Sequence, residues 1–239
     1  MNIKRFVIGA IVLPVFILNA AVHSEALFRG EAFIEGAERS EPRLIQTNKV
    51  ETKNDSLILT HYFHYPNGIL YAMDRVVLVN NKPMKNRLDF FEIDESSIME
   101  CKGDKVELTY RHHENVKTAL RELQEPLICA PLQQKMIEER YEELLRGDEI
   151  HFYIFASEIL RLVDMKVKRI EHSEYGRPGV MVLEMRPKSI LIKWLVGKTY
   201  YLVDLKTRRL LELHGFSTMR QCVDEKWEYV NMDFYYSYK

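Results

Sequence analysis

Apolar residues recur along this chain at two different periods. Over most of its length they alternate with polar residues, or gather in short β-branched and aromatic runs between turn formers, which is the period-two signature of strands. Phe28, Gly30, Ala32 and Ile34 face one way against Arg29, Glu31 and Glu35. Leu57 to His64 and Ile69 to Val79 flank Tyr65-Pro66-Asn67-Gly68, where Pro pre-sets φ and Asn-Gly tolerates the reversal, so a hairpin is predicted. Asn80-Asn81-Lys82-Pro83 marks a second reversal into a strand around Leu88 to Ile93. Lys102-Gly103-Asp104 then opens Lys105 to Arg111, in which Val106, Leu108 and Tyr110 alternate with charged and polar neighbours.

The period changes between Glu114 and Gly147. Leu132, Met136, Ile137, Tyr141, Leu144 and Leu145 recur at helical spacing, Pro131 suits a first turn and Gly147 the residue past the last one. Glu138, Glu139, Glu142 and Glu143 lie off that stripe and read as a solvated face. A shorter helix over Val116 to Leu123, stopped by Pro126, is also predicted. Strand patterning then returns in Glu149 to Phe155, Asp164 to Glu171, Val180 to Arg186, the apolar stretch Ile190 to Leu205, and Arg209 to His214. Tyr175-Gly176-Arg177-Pro178-Gly179 and the segment Asp204 to Arg209 mark reversals between these runs. Val230, Met232, Phe234, Tyr236 and Tyr238 occupy strict alternate positions, so the C-terminus is expected to be a required strand. Without a repeat, a low-complexity tract or a Gly/Ser linker, these elements predict one mainly β (α+β) domain. Its expected form is a curved antiparallel sheet or half-barrel, with a helical insert near 115–147 covering the concave side.

The first 24 residues follow another rule. Lys4 and Arg5 precede the apolar run Phe6 to Leu18, and Asn19-Ala20-Ala21-Val22-His23-Ser24 supplies small residues, with Val22 and Ser24 placed for a cut. This is the pattern of a secretory signal peptide. An uncleaved anchor is the alternative, but Pro14 and Asn19 interrupt the run, which falls short of the ~20 residues that span a bilayer. No Cys lies near the cut to carry a lipid. The expectation is a periplasmic or secreted domain over 25–239, with no stable membrane insertion after cleavage. Loss of Lys4 and Arg5 leaves 32 basic against 35 acidic residues, a formal charge of −3. That charge is interspersed in sign, so it builds no basic field for nucleic acid or an anionic membrane surface.

Cys101, Cys129 and Cys222 are consistent with export without defining a framework. One disulfide with one leftover thiol and three buried free thiols are both compatible with their number, and Cys101 with Cys129 would close the shorter loop. Asn54-Asp55-Ser56 is a glycosylation sequon, which matters only in a eukaryotic source.

Catalytic chemistry is weakly marked. No nucleophile elbow, phosphate-binding glycine loop or Cys-x-x-Cys pair occurs in the sequence. His61 and His64, like His112 and His113, are spaced to point to opposite faces of a strand and form no local chelate. His113 with Glu114 and His151 would make a metal site only if the fold converged them, and Cys222 with His214 a nucleophile and base only on the same condition. No catalytic residue, metal or cofactor is therefore assigned. The run Ile190 to Val196 places Ile190, Ile192, Trp194 and Val196 on one face with few polar atoms on either side. It reads as a doubly buried strand, an apolar cavity wall or a membrane or partner contact. Phe152, Ile192, Trp194, Val196 and Tyr200 are the candidate wall of a ligand cavity.

A resemblance is carried by Tyr141-Glu142-Glu143-Leu144-Leu145-Arg146-Gly147-Asp148, the following Ile150 to Phe155, Pro187-Lys188-Ser189, and Leu202-Val203-Asp204 through Arg208-Arg209-Leu210-Leu211 to Gly215. The C-terminal half resembles uncharacterised bacterial envelope proteins with a half-barrel fold similar to the periplasmic lipoprotein carriers. That resemblance implies an antiparallel sheet curled around a helix with an apolar hollow for acyl chains, and transfers no functional residue. The leading expectation is a non-enzymatic envelope binding or carrier protein for an apolar small molecule or lipid. A structural module that pairs with envelope proteins, and an envelope enzyme with a long-range His/Glu metal site, are the alternatives.

Overall fold

The computed structural model describes residues 28–189 and 197–239. The expected signal peptide, and Ile192, Trp194 and Val196, lie outside the described residues. Eight strands come first: β1 (Phe28–Ile34), β2 (Leu44–Lys53), β3 (Ser56–His64), β4 (Leu70–Val79), β5 (Lys82–Phe90), β6 (Glu95–Lys102), β7 (Lys105–His112) and β8 (Asn115–Glu122). A 3₁₀ turn (Ala130–Leu132) and two short helices, α1 (Gln133–Glu139) and α2 (Tyr141–Arg146), follow. Six more strands follow among the described residues: β9 (Ile150–Ala156), β10 (Arg161–Arg169), β11 (Val180–Pro187), β12 (Thr199–Asp204), β13 (Leu210–Val223) and β14 (Lys226–Tyr238). All fourteen form a single antiparallel sheet in the order β8-β7-β6-β5-β4-β3-β2-β1-β14-β13-β12-β11-β10-β9. The sheet is curved and is not closed into a barrel.

The order follows from local chemistry. Tight reversals place Asn54, Asn80, Asn81, His113, Asp224 and Glu225 at positive φ, as two-residue hairpin turns demand. The chain therefore meanders outward from β1 to one edge, crosses through the helical segment to the other edge, and meanders back. The last strand closes on the first, with Phe28 opposite Tyr238, Gly30 opposite Tyr236 and Ala32 opposite Phe234.

The helical stripe behaves as its spacing predicts: Leu132, Met136, Ile137, Tyr141 and Leu144 are buried, and Gly147 ends α2 at φ +91°. Arg140, at φ −105° and ψ 17°, divides the stripe into two helices instead of one. The predicted helix over Val116 to Leu123 is corrected: this segment is β8, which pairs with β7 from His112 opposite Asn115 to Lys105 opposite Glu122. Val116, Ala119 and Leu120 have helix-like spacing, but the open edge of β7 offers hydrogen bonds for the whole segment, whereas an eight-residue helix is marginal alone. The insert is thus helical only from Ala130.

The β9–β10 hairpin is apolar on both faces, and both are covered. Phe152, Val163 and Met165 pack with Met136, Ile137, Tyr141 and Leu144 of the helices. Their alternating neighbours Tyr153, Phe155 and Leu162 pack with Val76, Leu78, Met99, Val106 and Leu108 from the first half of the sheet. The β9 edge is therefore rolled inside the curl of β4–β7. The segment after β8 seals that edge, Ile128 N–H donating to Tyr153 O (2.9 Å) and Tyr153 N–H to Pro126 O (2.8 Å), which removes a free strand edge from solvent.

Candidate functional site: an apolar cavity under the helical cover

Between α1 and the concave face lies a cavity of about 140 Å³. Phe28 and Phe63 enter it from β1 and β3, Ile154 and Met165 from β9 and β10, Met185 and Tyr201 from β11 and β12, and Leu213 and Phe234 from β13 and β14. Ala130, Gln133 and Gln134 form its roof. The two halves of the sheet meet here because β1 and β14 pair at its centre. A dry apolar void of ~150 Å³ holds a benzene-sized group, while drug-sized ligands need roughly 300 Å³ or more. At this size the cavity suits a short apolar group, and a longer chain needs more room than it offers. The helical cover is tied to the sheet by polar contacts at its rim: Tyr238 O–H donates to Gln134 Oε1 (3.3 Å), Tyr141 O–H to Leu205 O (3.2 Å) and Arg169 Nη1–H to Leu145 O (2.9 Å), while Arg208 pairs with Glu142 (2.8 Å) with its guanidinium 4.5 Å from the Tyr141 ring centre.

A polar chain crosses this apolar wall. Tyr236 O–H donates to Gln46 Oε1 (3.3 Å), and Gln46 Nε2–H donates to His61 Nδ1 (3.0 Å). Accepting at Nδ1 puts the His61 proton on Nε2. Burial pushes the His61 pKa down to about 4, so the ring is neutral at pH 7. Gly30 makes room for the chain: a Cβ there would stand 2.9 Å from the Tyr236 ring and 3.3 Å from Gln46 Cβ. Asp74 stands opposite His61 on β4, where burial lifts its pKa to about 7, opposed by the hydrogen bond from Asn86 Nδ2 at 2.6 Å.

Of the five candidate wall residues, two are described. Phe152 is fully buried on the inner face, among the core residues beneath the helices and beside the cavity-lining Ile154. Tyr200 lies on the opposite face, its ring 5.2 Å from Tyr175, while Tyr201 next to it lines the cavity. Thr199, Tyr201 and Val203 point inward because they stand opposite Met185, Leu183 and Met181 of β11. Gln46 and His61 carry the polar contacts, and neither is marked by a local motif. Gln46 sits on β2, whose sequence LIQTNKVETK alternates too loosely to announce a strand.

The remaining chemistry is dispersed. His113 lies 3.9 Å from Asp94 at the β7–β8 turn, whereas His151 on β9 faces Glu149 (3.1 Å) and Asp164 (3.7 Å). Among the described residues no group of three His, Cys, Asp or Glu side chains is arranged to hold a metal. His214 is buried on the outer face between Asp233 (2.7 Å) and Glu212 (2.8 Å) and stacks on Tyr175. Both of its ring nitrogens are thereby engaged, and Cys222 is exposed near the end of β13. The three cysteines are unpaired, with Cys101 S–H donating to Pro83 O (3.2 Å) and Cys129 buried. Burial drives the Cys129 thiol pKa well up.

No known protein family, curated protein or solved structure matches the chain. Among the described residues no helix is long and apolar enough to cross a membrane.

Proposed function

We propose that this chain is an exported, non-enzymatic binding or carrier protein of the cell envelope that holds an apolar ligand, a lipid acyl chain, in the curl of its sheet. The cavity under α1 carries this reading: it is lined by aromatic, Met and Leu side chains from both halves of the sheet, and its roof is a short segment rather than another layer of sheet. Transfer of a chain into such a wall is favourable by roughly 25 cal/mol per Å² of apolar surface removed from water. The directionless nature of that gain suits a carrier, and displacement of α1 provides entry. Native mass spectrometry of the protein purified from its own envelope, followed by addition of a fatty acyl probe, tests it. A retained lipid mass or stoichiometric probe uptake is expected; bare polypeptide with no uptake overturns the proposal.

A second reading is favoured by β8. This strand is an edge of the sheet, almost wholly exposed, and presents Val116 and Leu120 to solvent. Such an edge can add a strand from a partner, as an interaction module of an envelope assembly would. Crosslinking from a photoreactive residue at 118 in the native envelope is expected to capture a partner on this reading, and recovery of uncrosslinked monomer alone counts against it.

A further inference from the structure

The cavity wall distinguishes between ligand head groups. Its described lining contains no Lys, Arg, Asp or Glu, so a free carboxylate or an ammonium would meet no countercharge from the described residues, which is costly in an apolar site. The polar groups it does present are neutral. His61 accepts from Gln46 at Nδ1, and Nε2–H has no protein partner among the described residues. Gln133, on the roof, makes no side-chain hydrogen bond among the described residues and also faces the cavity. The ring is held in place by its edge-to-face contact with Phe28, centroids 5.4 Å apart, and its tautomer by the Tyr236–Gln46 chain. His61 is half-buried and lines the cavity, so an N–H donor fixed in this way on its wall is placed for an acceptor oxygen. Asp74, the cross-strand neighbour of His61, adds either no charge or a negative one, which further disfavours an anionic head.

We propose that the cavity recognises the neutral carbonyl of an ester- or amide-linked acyl chain, its oxygen accepting from His61 Nε2–H while the chain fills the apolar wall. This deepens the carrier reading and rests on it. Selectivity then separates three ligands of equal chain length: a methyl ester offers a neutral acceptor, a fatty carboxylate an uncompensated charge, and an alkane no acceptor.

The test uses the full chain at pH 8 and follows displacement of cavity-bound N-phenyl-1-naphthylamine by methyl dodecanoate, dodecanoate and dodecane. The ester is expected to displace the probe at about tenfold lower concentration than the alkane, the size of one buried hydrogen bond, and to outcompete the carboxylate. His61→Phe, which retains a ring against Phe28, is expected to bring the ester to the alkane's value without changing the alkane's. His61→Gln keeps a donor and is expected to preserve part of the preference. Equal displacement by ester and alkane in the unaltered protein, tighter binding of the carboxylate, or an ester preference undiminished in His61→Phe overturns the inference and leaves the carrier reading standing. Should His61→Phe not fold, the comparison in the unaltered protein decides alone. Failure of the probe and all three ligands to bind overturns both.

Discussion

At the scale of single residues, the polar insertions into the concave face set how stability depends on pH. Asp74 has a folded pKa near 7 against an ordinary value of 3.8. The folded state therefore keeps a proton that the unfolded chain has lost, and stability falls as pH rises from about 4 to about 7, then levels off. His61 behaves oppositely, its folded value of about 4 lying below the ordinary 6.5. It remains neutral where the unfolded ring charges, so stability falls as pH drops from about 6.5 to about 4. The two sit opposite each other on β3 and β4, but burial dominates each shift and neither acts on the other's, so neither penalty cancels the other. Asp74→Asn, which can still bond Asn86, is expected to raise stability more at pH 8 than at pH 5, by on the order of 2–3 kcal/mol. Urea unfolding at the two pH values measures it; equal gains would mean that Asp74 titrates as an ordinary carboxylate. None of this was legible in the sequence, where His61 is one of several strand histidines. Its environment is made by Gln46 and Asp74, on the strands to either side.

At the scale of elements, turn chemistry made several reversals readable. Asn80-Asn81, Lys102-Gly103-Asp104 and the terminal Gly147 all hold the positions their backbone preferences favour. Elements whose fate depends on a neighbour were not readable. Residues 115–122 are a strand because β7 is beside them, and β2 is a strand because β1 and β3 flank it, although neither segment alternates cleanly. The β1–β14 pair, by contrast, was foreshadowed in both of its strands, and it contains a fit that only glycine allows. The ring of Tyr236 lies over Gly30, in the place where any side chain would begin. Gly30→Ala is expected to push Tyr236 away from Gln46, lowering stability by about 1–3 kcal/mol through overpacking and weakening naphthylamine binding through the disturbed wall. Thermal melts and probe titration of the same variant check both effects; an unchanged melt would mean that the ring moves aside without cost.

At the scale of the whole molecule, the sheet must be held in its curl, because no ladder of hydrogen bonds joins β8 to β9. Apolar packing of the β9–β10 hairpin inside the first half contributes to this, and a buried ionic junction locates it. The Arg220 guanidinium, from β13, donates through Nη2 to Glu95 of β6 (2.7 Å), to Glu158 of the β9–β10 turn (2.7 Å) and to the Tyr229 hydroxyl of β14 (3.1 Å). Its backbone exchanges hydrogen bonds with the Tyr71 hydroxyl of β4, Arg220 N–H donating at 3.0 Å and Tyr71 O–H donating to Arg220 O at 2.9 Å. One residue thus ties β4, β6, β13, β14 and the tucked hairpin together. The sequence shows only an Arg in a C-terminal strand, separated by 125 residues from Glu95. Arg220 and Glu95 are both nearly sealed from solvent, and burial holds the Glu95 carboxyl above its ordinary value even beside the cation. Removing the cation leaves that carboxylate stranded, which costs far more than the net worth of the pair. Arg220→Met is therefore expected to destabilise the protein by about 3–5 kcal/mol at pH 7 and to loosen the curl enough to impair probe binding. Adding Glu95→Gln should recover a large part of that loss, because the group left behind no longer carries a charge. A double variant that loses the sum of the two single losses would show that the junction acts only by packing, with the curl held by the apolar faces of the hairpin alone.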